Sequence, residues 1–231
     1  MPRAKLPRKS TNIDMTAMCD VAFLLLSFFI LATKFKPPEA LSVTTPSSVY
    51  TKIAEDQNVV LITLDHEGKV YFSVSDANKD EKKEIINTLN TQHNLGLTDE
   101  EMKAFYLNPT AYIGVPFSQL KPLLDKGSDP EAIKNIKFPG IPTQDSTNNE
   151  LRDWIAAAVA TSAGGGFGGG HMHLEVKGDD AALYPAFSGV IWALKKNDQM
   201  KFQLITSPIA APIGSELEKQ IISSGKKTVE N

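Results

Sequence analysis

The sequence predicts an α+β protein carried behind one membrane-spanning helix. Three observations predict it. An apolar run lies near the N-terminus, over residues 15–33. Two β-rich runs, VVLITL at 59–64 and KVYFSV at 69–74, flank a short turn containing Gly68. A strand–helix–strand pattern closes the chain at residues 171–206. The segments predicted are a cytoplasmic tail (1–14), the span (15–33), an extended linker (34–58), a periplasmic α+β domain (59–212) with a mainly helical insertion at about 76–148, and a C-terminal tail (213–231).

The run at 15–33 reads MTAMCDVAFLLLSFFILAT. Its uninterrupted apolar part, residues 21–32, is about a dozen residues, the length of a signal-peptide core or a buried helix. Including residues 15–19 extends it to about 19, close to the roughly 20 that cross a bilayer as a helix. The extension puts Asp20 inside the membrane. A cleaved leader is the competing reading, supported by Arg3, Lys5, Arg8 and Lys9. Asp14 and Asp20 count against it, and no A-x-A site follows the run. A buried soluble helix would leave Asp20 without a cationic partner nearby in sequence. Lys34 and Lys36 follow the span, but the basic excess before it favours a cytoplasmic N-terminus.

Asp20 is the candidate functional residue. A carboxylate at the centre of a span is disfavoured by roughly 2.5–3.5 kcal/mol on insertion scales, and such residues mark ion and proton paths. Thr16 is four residues before it and Ser27 seven after, so all three share a helix face with Leu24 and Leu31. The sharper reading makes Asp20 a carboxyl group that loads and unloads a proton, with Thr16 and Ser27 lining its path. The plainer one makes it a hydrogen-bond partner in a helix bundle, with Thr16 and Ser27 bonded to their own helix carbonyls.

The remaining elements follow in order. Pro37, Pro38 and Pro46 predict an extended linker, in which residues 41–45 could form a short edge strand. Asp65-His66-Glu67-Gly68 predicts a hairpin loop with His66 solvated. Residues 80–93 carry a helical period with Ile85, Ile86 and Leu89 inward. Thr98-x-x-Glu101 is a capping box for a helix through Phe105. Asp129-Pro130 has the signature of another helix start. Thr147-x-x-Glu150 opens a stronger helix to about Ser162, with Trp154, Ile155 and Val159 inward. GGGFGGG at 164–170 predicts a flexible loop. The run 171–176 alternates as a strand, 184–195 is an amphipathic helix, and 201–206 is the last strand. The tail after Pro212 reads as solvated.

Composition excludes several classes. The chain is 22% charged and 42% hydrophobic, which suits a folded domain and not a disordered chain. A net charge of −3 gives no general affinity for nucleic acid. The single cysteine, Cys19, lies in the span and permits no intramolecular disulfide. No nucleophile elbow, H-E-x-x-H or dinucleotide fingerprint is present, so no enzyme and no cofactor are expected. His171, His173 and Glu175 would share a strand face, read as solvated in preference to metal-binding.

The span and its flank resemble the ExbD/TolR family. The family motif I-N-x-T-P-x-x-D-x-x-x-x-L-L-I-x-F stands here as Ile13-Asp14-Met15-Thr16-Ala17-Met18-Cys19-Asp20, then Val21 through Phe29. Asp14 replaces the usual Asn and Ala17 the usual Pro. Leu41-Ser42-Val43 with Pro46 resembles the family's extended segment after the span. Residues 171–178, 184–196 and 202–206 resemble its closing strand–helix–strand, with Lys177-Gly178-Asp179 near its acidic turn. The resemblance covers roughly 60% of the chain, and 76–148 reads as an insertion of the kind in longer Bacteroidota members.

That resemblance implies a proton-driven subunit of the bacterial inner membrane. Asp20 would be the proton carrier. The partners implied are a pentameric, multi-span ExbB-like subunit, a second copy or a paralogue, and a TonB-like protein reaching the outer membrane, with lipid around the span. A TolR-like role in envelope maintenance stays open. So do a single-span anchor without proton transfer and a secreted protein with a cleaved leader. The insertion is expected to enlarge the partner-docking surface.

Overall fold

A computed structural model describes residues 15–32, 41, 43–49, 55, 57–107, 112–126, 138–143, 148–210 and 214–223. The chain divides into two units, residues 1–38 and 39–231. The first contains α1 (Met15–Ala32).

The second unit is α+β. In chain order it holds β1 (Ser47–Ser48), β2 (Val59–Leu64), β3 (Val70–Val74), α2 (Lys79–His93), α3 (Asp99–Leu107), α4 (Phe117–Asp125), α5 (Glu150–Ala163), β4 (His173–Gly178), α6 (Tyr184–Lys196), β5 (Gln203–Ile205), β6 (Ser207–Pro208) and α7 (Glu216–Ser223). The four-stranded sheet has the order β3-β2-β4-β5. β3 is antiparallel to β2, while β4 and β5 continue the sheet in parallel.

The predicted hairpin forms because Asp65 organises its turn. Its carboxylate accepts the Glu67 and Lys69 amides at 2.9 and 2.8 Å. Gly68 supplies the left-handed φ of 80° that closes the loop. Tyr71 donates to the same carboxylate at 3.1 Å, and burial pushes its phenol well above its ordinary pKa.

Strand alternation sorts the core. Val60, Ile62, Leu64, Val70, Phe72, Val74, Leu174 and Val176 join one buried cluster. The helices meet them through Ile85, Ile86 and Leu89 of α2, Leu151, Trp154 and Ile155 of α5, and Val190, Ala193 and Leu194 of α6. The segment read as an insertion shares this core. Phe105 and Phe117 bring their rings to 6.0 and 5.7 Å from Trp154, which Phe72 also meets at 5.1 Å.

Several expectations shift in detail. The Thr98–Glu101 capping box forms: the Glu101 carboxylate takes the Thr98 amide and hydroxyl. Those donors hold Glu101 below the usual carboxylate range. α5 starts at Glu150, where the Asn149 side chain accepts the Arg152 amide at 3.2 Å. Thr147, Asp129 and Pro130 lie outside the described residues. The post-span strand is Ser47–Ser48; of the predicted 41–45, residues 41 and 43–45 are not strand, and Ser42 lies outside the described residues. The Pro46 and Ser48 carbonyls accept the Ser207 and Ile209 amides, so β6 sets where the pairing falls. The last predicted strand, 201–206, shortens to β5, and the short β6 follows after Thr206.

The glycine run is not a loose loop. Residues Gly166–Gly170 form a compact turn with left-handed backbone at Phe167, Gly168 and Gly169. Phe167 is fully buried, and its amide donates to Glu81 at 2.8 Å. The solvated-face reading fails at Glu175, which is buried on β4 between Leu61 and Gln203. His171 precedes that strand and His173 opens it. The tail includes a helix, α7.

Candidate functional site

α1 contains no proline, no glycine and one charged residue, Asp20. Its mean hydropathy is 2.2 over 18 residues, and none of it is buried within the chain. At about 1.5 Å per residue it is roughly 27 Å long, near the thickness of a bilayer's hydrocarbon core. Eleven large apolar side chains on it are exposed by half or more, from Leu25 at 53% to Leu31 at 86%. Water would not tolerate such a surface on an isolated chain, whereas lipid or a partner's helices would cover it. A helix that is apolar all round satisfies its backbone internally, which a bilayer requires.

Asp20 is the sixth residue of α1, about 8 Å along its axis. At about 100° per residue, Thr16, Asp20, Leu24, Ser27 and Leu31 fall within roughly 80° of arc. Met18, Ala22, Leu25 and Phe29 hold the opposite side. The Ser27 hydroxyl donates to the Leu24 carbonyl at 3.0 Å. That is the back-bonding alternative, and it satisfies this hydroxyl within the helix. Thr16 stands one turn before Asp20 on the same stripe. The stripe therefore combines one ionisable group with a satisfied hydroxyl and aliphatic surface. Carboxyl groups placed in a span are rare and mark candidate ion or proton paths.

A second feature lies in the segment after the span in sequence. The Asp179 carboxylate accepts the Thr44 amide at 2.9 Å and the Ala181 amide at 3.0 Å. The Asp180 amide donates back to the Thr44 carbonyl at 2.9 Å. The Ala181 and Thr44 donors hold the Asp179 carboxyl below its ordinary range. Farther along, Ser207 donates to the Pro46 carbonyl and Ile209 to that of Ser48, both at 2.9 Å. Residues 44–48 are thus strapped to the domain by Asp179 and by β6. The sequence named Asp179 only through resemblance, because nothing in a Gly-Asp-Asp turn shows which distant amide it will meet.

The ExbD/TolR description, "Biopolymer transport protein ExbD/TolR", matches residues 7–208, most of the chain. This chain belongs to the ExbD/TolR family. It is similar to the biopolymer transport protein ExbD of Aquifex aeolicus (strain VF5), with 26% identity over 90 residues. That alignment covers 39% of this chain and 68% of the relative. No solved structure matches the chain. Family membership and the one candidate span among the described residues fit a single-pass inner-membrane protein of the biopolymer-transport class. Among the described residues no three His, Cys, Asp or Glu side chains stand together as metal ligands would.

Proposed function

We propose that this ExbD/TolR chain is the energy-transducing subunit of a proton-driven ExbB–ExbD-type motor in the inner membrane, with Asp20 as its proton carrier. The observation that carries the reading is a single carboxylate on a membrane-length helix whose whole surface awaits other molecules. Arg3, Lys5, Arg8 and Lys9 orient the N-terminus to the cytoplasm and the domain to the periplasm.

A pentameric ExbB-like subunit encloses α1 together with the span of a second copy or a paralogue. A proton entering along the membrane potential releases about 2.3 kcal/mol per 100 mV. Protonated Asp20 passes apolar surface, and the carboxylate returns to a polar partner on the ring. The strap at residues 44–48 carries the resulting motion into the domain, which docks a TonB-like protein. No chemical step on a substrate is involved, so the chain works as a transducer and not as an enzyme.

Replacing Asp20 by Asn in the native organism tests this. Energy-dependent uptake across the outer membrane is measured, with an immunoblot of membrane levels. Loss of uptake at normal levels supports proton carriage by Asp20. Retained uptake makes Asp20 structural and leaves an anchor without proton transfer.

A further inference from the structure

The four-stranded sheet has two edges, and the chain treats them differently. At the β3 edge, the Phe72 amide donates to the Ile113 carbonyl at 2.8 Å, and the Ile113 amide donates to the Phe72 carbonyl at 2.8 Å. The Ile141 amide donates to the Val70 carbonyl at 2.8 Å. Gly140 ties the two added segments together by donating to Gly114 at 2.7 Å. Ile113, Val115 and Ile141 sink their side chains into the core.

Two glycines make this approach possible. A Cβ on Gly114 would stand 2.2 Å from the Tyr71 ring. One on Gly140, where φ is 89°, would stand 3.0 Å from the Lys69 Cβ. Prolines then end the pairing: Pro116 follows Val115, while Pro139 and Pro142 bracket residues 140–141. Proline carries no amide hydrogen, so the added segments cannot continue the ladder outward. Short pieces with prolines are how natural sheets blunt an edge. The β5 edge differs. Leu204 is half exposed there, and no proline occurs from Met200 to Ser207.

We propose that residues 112–115 and 138–143 are an edge guard acting in cis. They occupy a strand-addition surface on β3 that would otherwise pair with β3 of a second copy. The sequence of β3, VYFSV, is uncharged and β-prone, and antiparallel pairing of two copies about Ser73 places Phe72 opposite Val74, and Ser73 opposite its own counterpart, without a charge clash. The inference rests on the motor reading only in that two copies are held together at the membrane. The guard then keeps their domains from joining through β3.

The test uses the full chain in membranes, with Cys19→Ser and Ser73→Cys, under mild oxidation. With the guard intact, disulfide-linked dimers stay at background, and amide exchange at Phe72 is slowed at least a hundredfold. Gly114→Val with Gly140→Val, or Ile113→Pro alone, displaces the guard and raises dimer yield at least tenfold. Circular dichroism checks that each variant stays folded. A folded variant whose yield matches the intact guard overturns the proposal. So does efficient crosslinking, or fast Phe72 exchange, in the unaltered guard, and these two arms stand even if both variants unfold. Asp20→Asn leaves every one of these readouts unchanged, so failure here is distinct from failure of the motor reading.

Discussion

Phe167 offers the sharpest test of how the glycine run is built. Its side chain is fully buried, while its backbone sits at φ 51°, ψ 49°. The two facts pull in opposite directions. Truncating a buried Phe to Ala costs about 3–5 kcal/mol. Left-handed backbone costs an L-residue about 1–2 kcal/mol, and glycine escapes that cost. Glycine also makes the unfolded chain more disordered, a penalty of about 0.4–1 kcal/mol against alanine. Phe167→Gly should therefore be less destabilising than Phe167→Ala by roughly 0.5–1 kcal/mol, a reversal of the usual order. For a domain of this size about 1 kcal/mol shifts Tm by roughly 2–4 °C. Phe167→Ala should lower Tm by roughly 6–20 °C, with Phe167→Gly a few degrees above it. Thermal unfolding of the full chain in detergent, followed by near-ultraviolet circular dichroism, measures both. If Gly unfolds below Ala, the backbone at 167 is not left-handed. If neither variant moves Tm, Phe167 does not anchor the core.

Further outcomes follow from single contacts. Gly189→Ala should destabilise by roughly 1–3 kcal/mol despite alanine's higher helix propensity, because the new Cβ would meet the Thr143 carbonyl oxygen at 2.2 Å; chemical denaturation reads it, and a rise in stability refutes the contact. Asp179→Ala should release the Thr44 amide, seen as faster hydrogen exchange there at neutral pH. Because the Asp179 carboxyl is held below its ordinary 3.8, its contribution is complete above that value and fades as pH falls further. Thr44 protection in the unaltered chain should accordingly persist through pH 5 and decline only in stronger acid. Ser27→Ala should keep energy-dependent uptake within about twofold, since an exposed back-bonded hydroxyl supplies little net free energy; a tenfold loss would place Ser27 on the proton path.

The elements that were legible are those whose pattern is local. The β-rich runs placed the hairpin strands at 59–64 and 69–74, and helical spacing placed Ile85, Ile86 and Leu89 inward. The capping box at Thr98 and the turn at Gly68 are decided within a few residues. Asp20 stood out because one carboxylate in an apolar run has no ordinary explanation. What escaped depends on partners far away in sequence. Glu175 resembles a solvated strand residue until Leu61 and Gln203 flank it. Ile113 and Ile141 occupy single paired positions, too short for any periodicity, and only the β3 edge gives them meaning. GGGFGGG read as loose because glycine freedom suggests mobility, whereas here it serves fixed left-handed backbone around one buried ring.

Proton movement through Asp20 is most directly measured in liposomes. The chain is co-purified with the multi-span ExbB-like subunit proposed as its partner, reconstituted, and given an imposed pH gradient. The Asp20 assignment predicts that the wild-type complex dissipates the gradient at least ten times faster than a complex carrying Asp20→Asn at equal protein content. Equal rates in the two would contradict it.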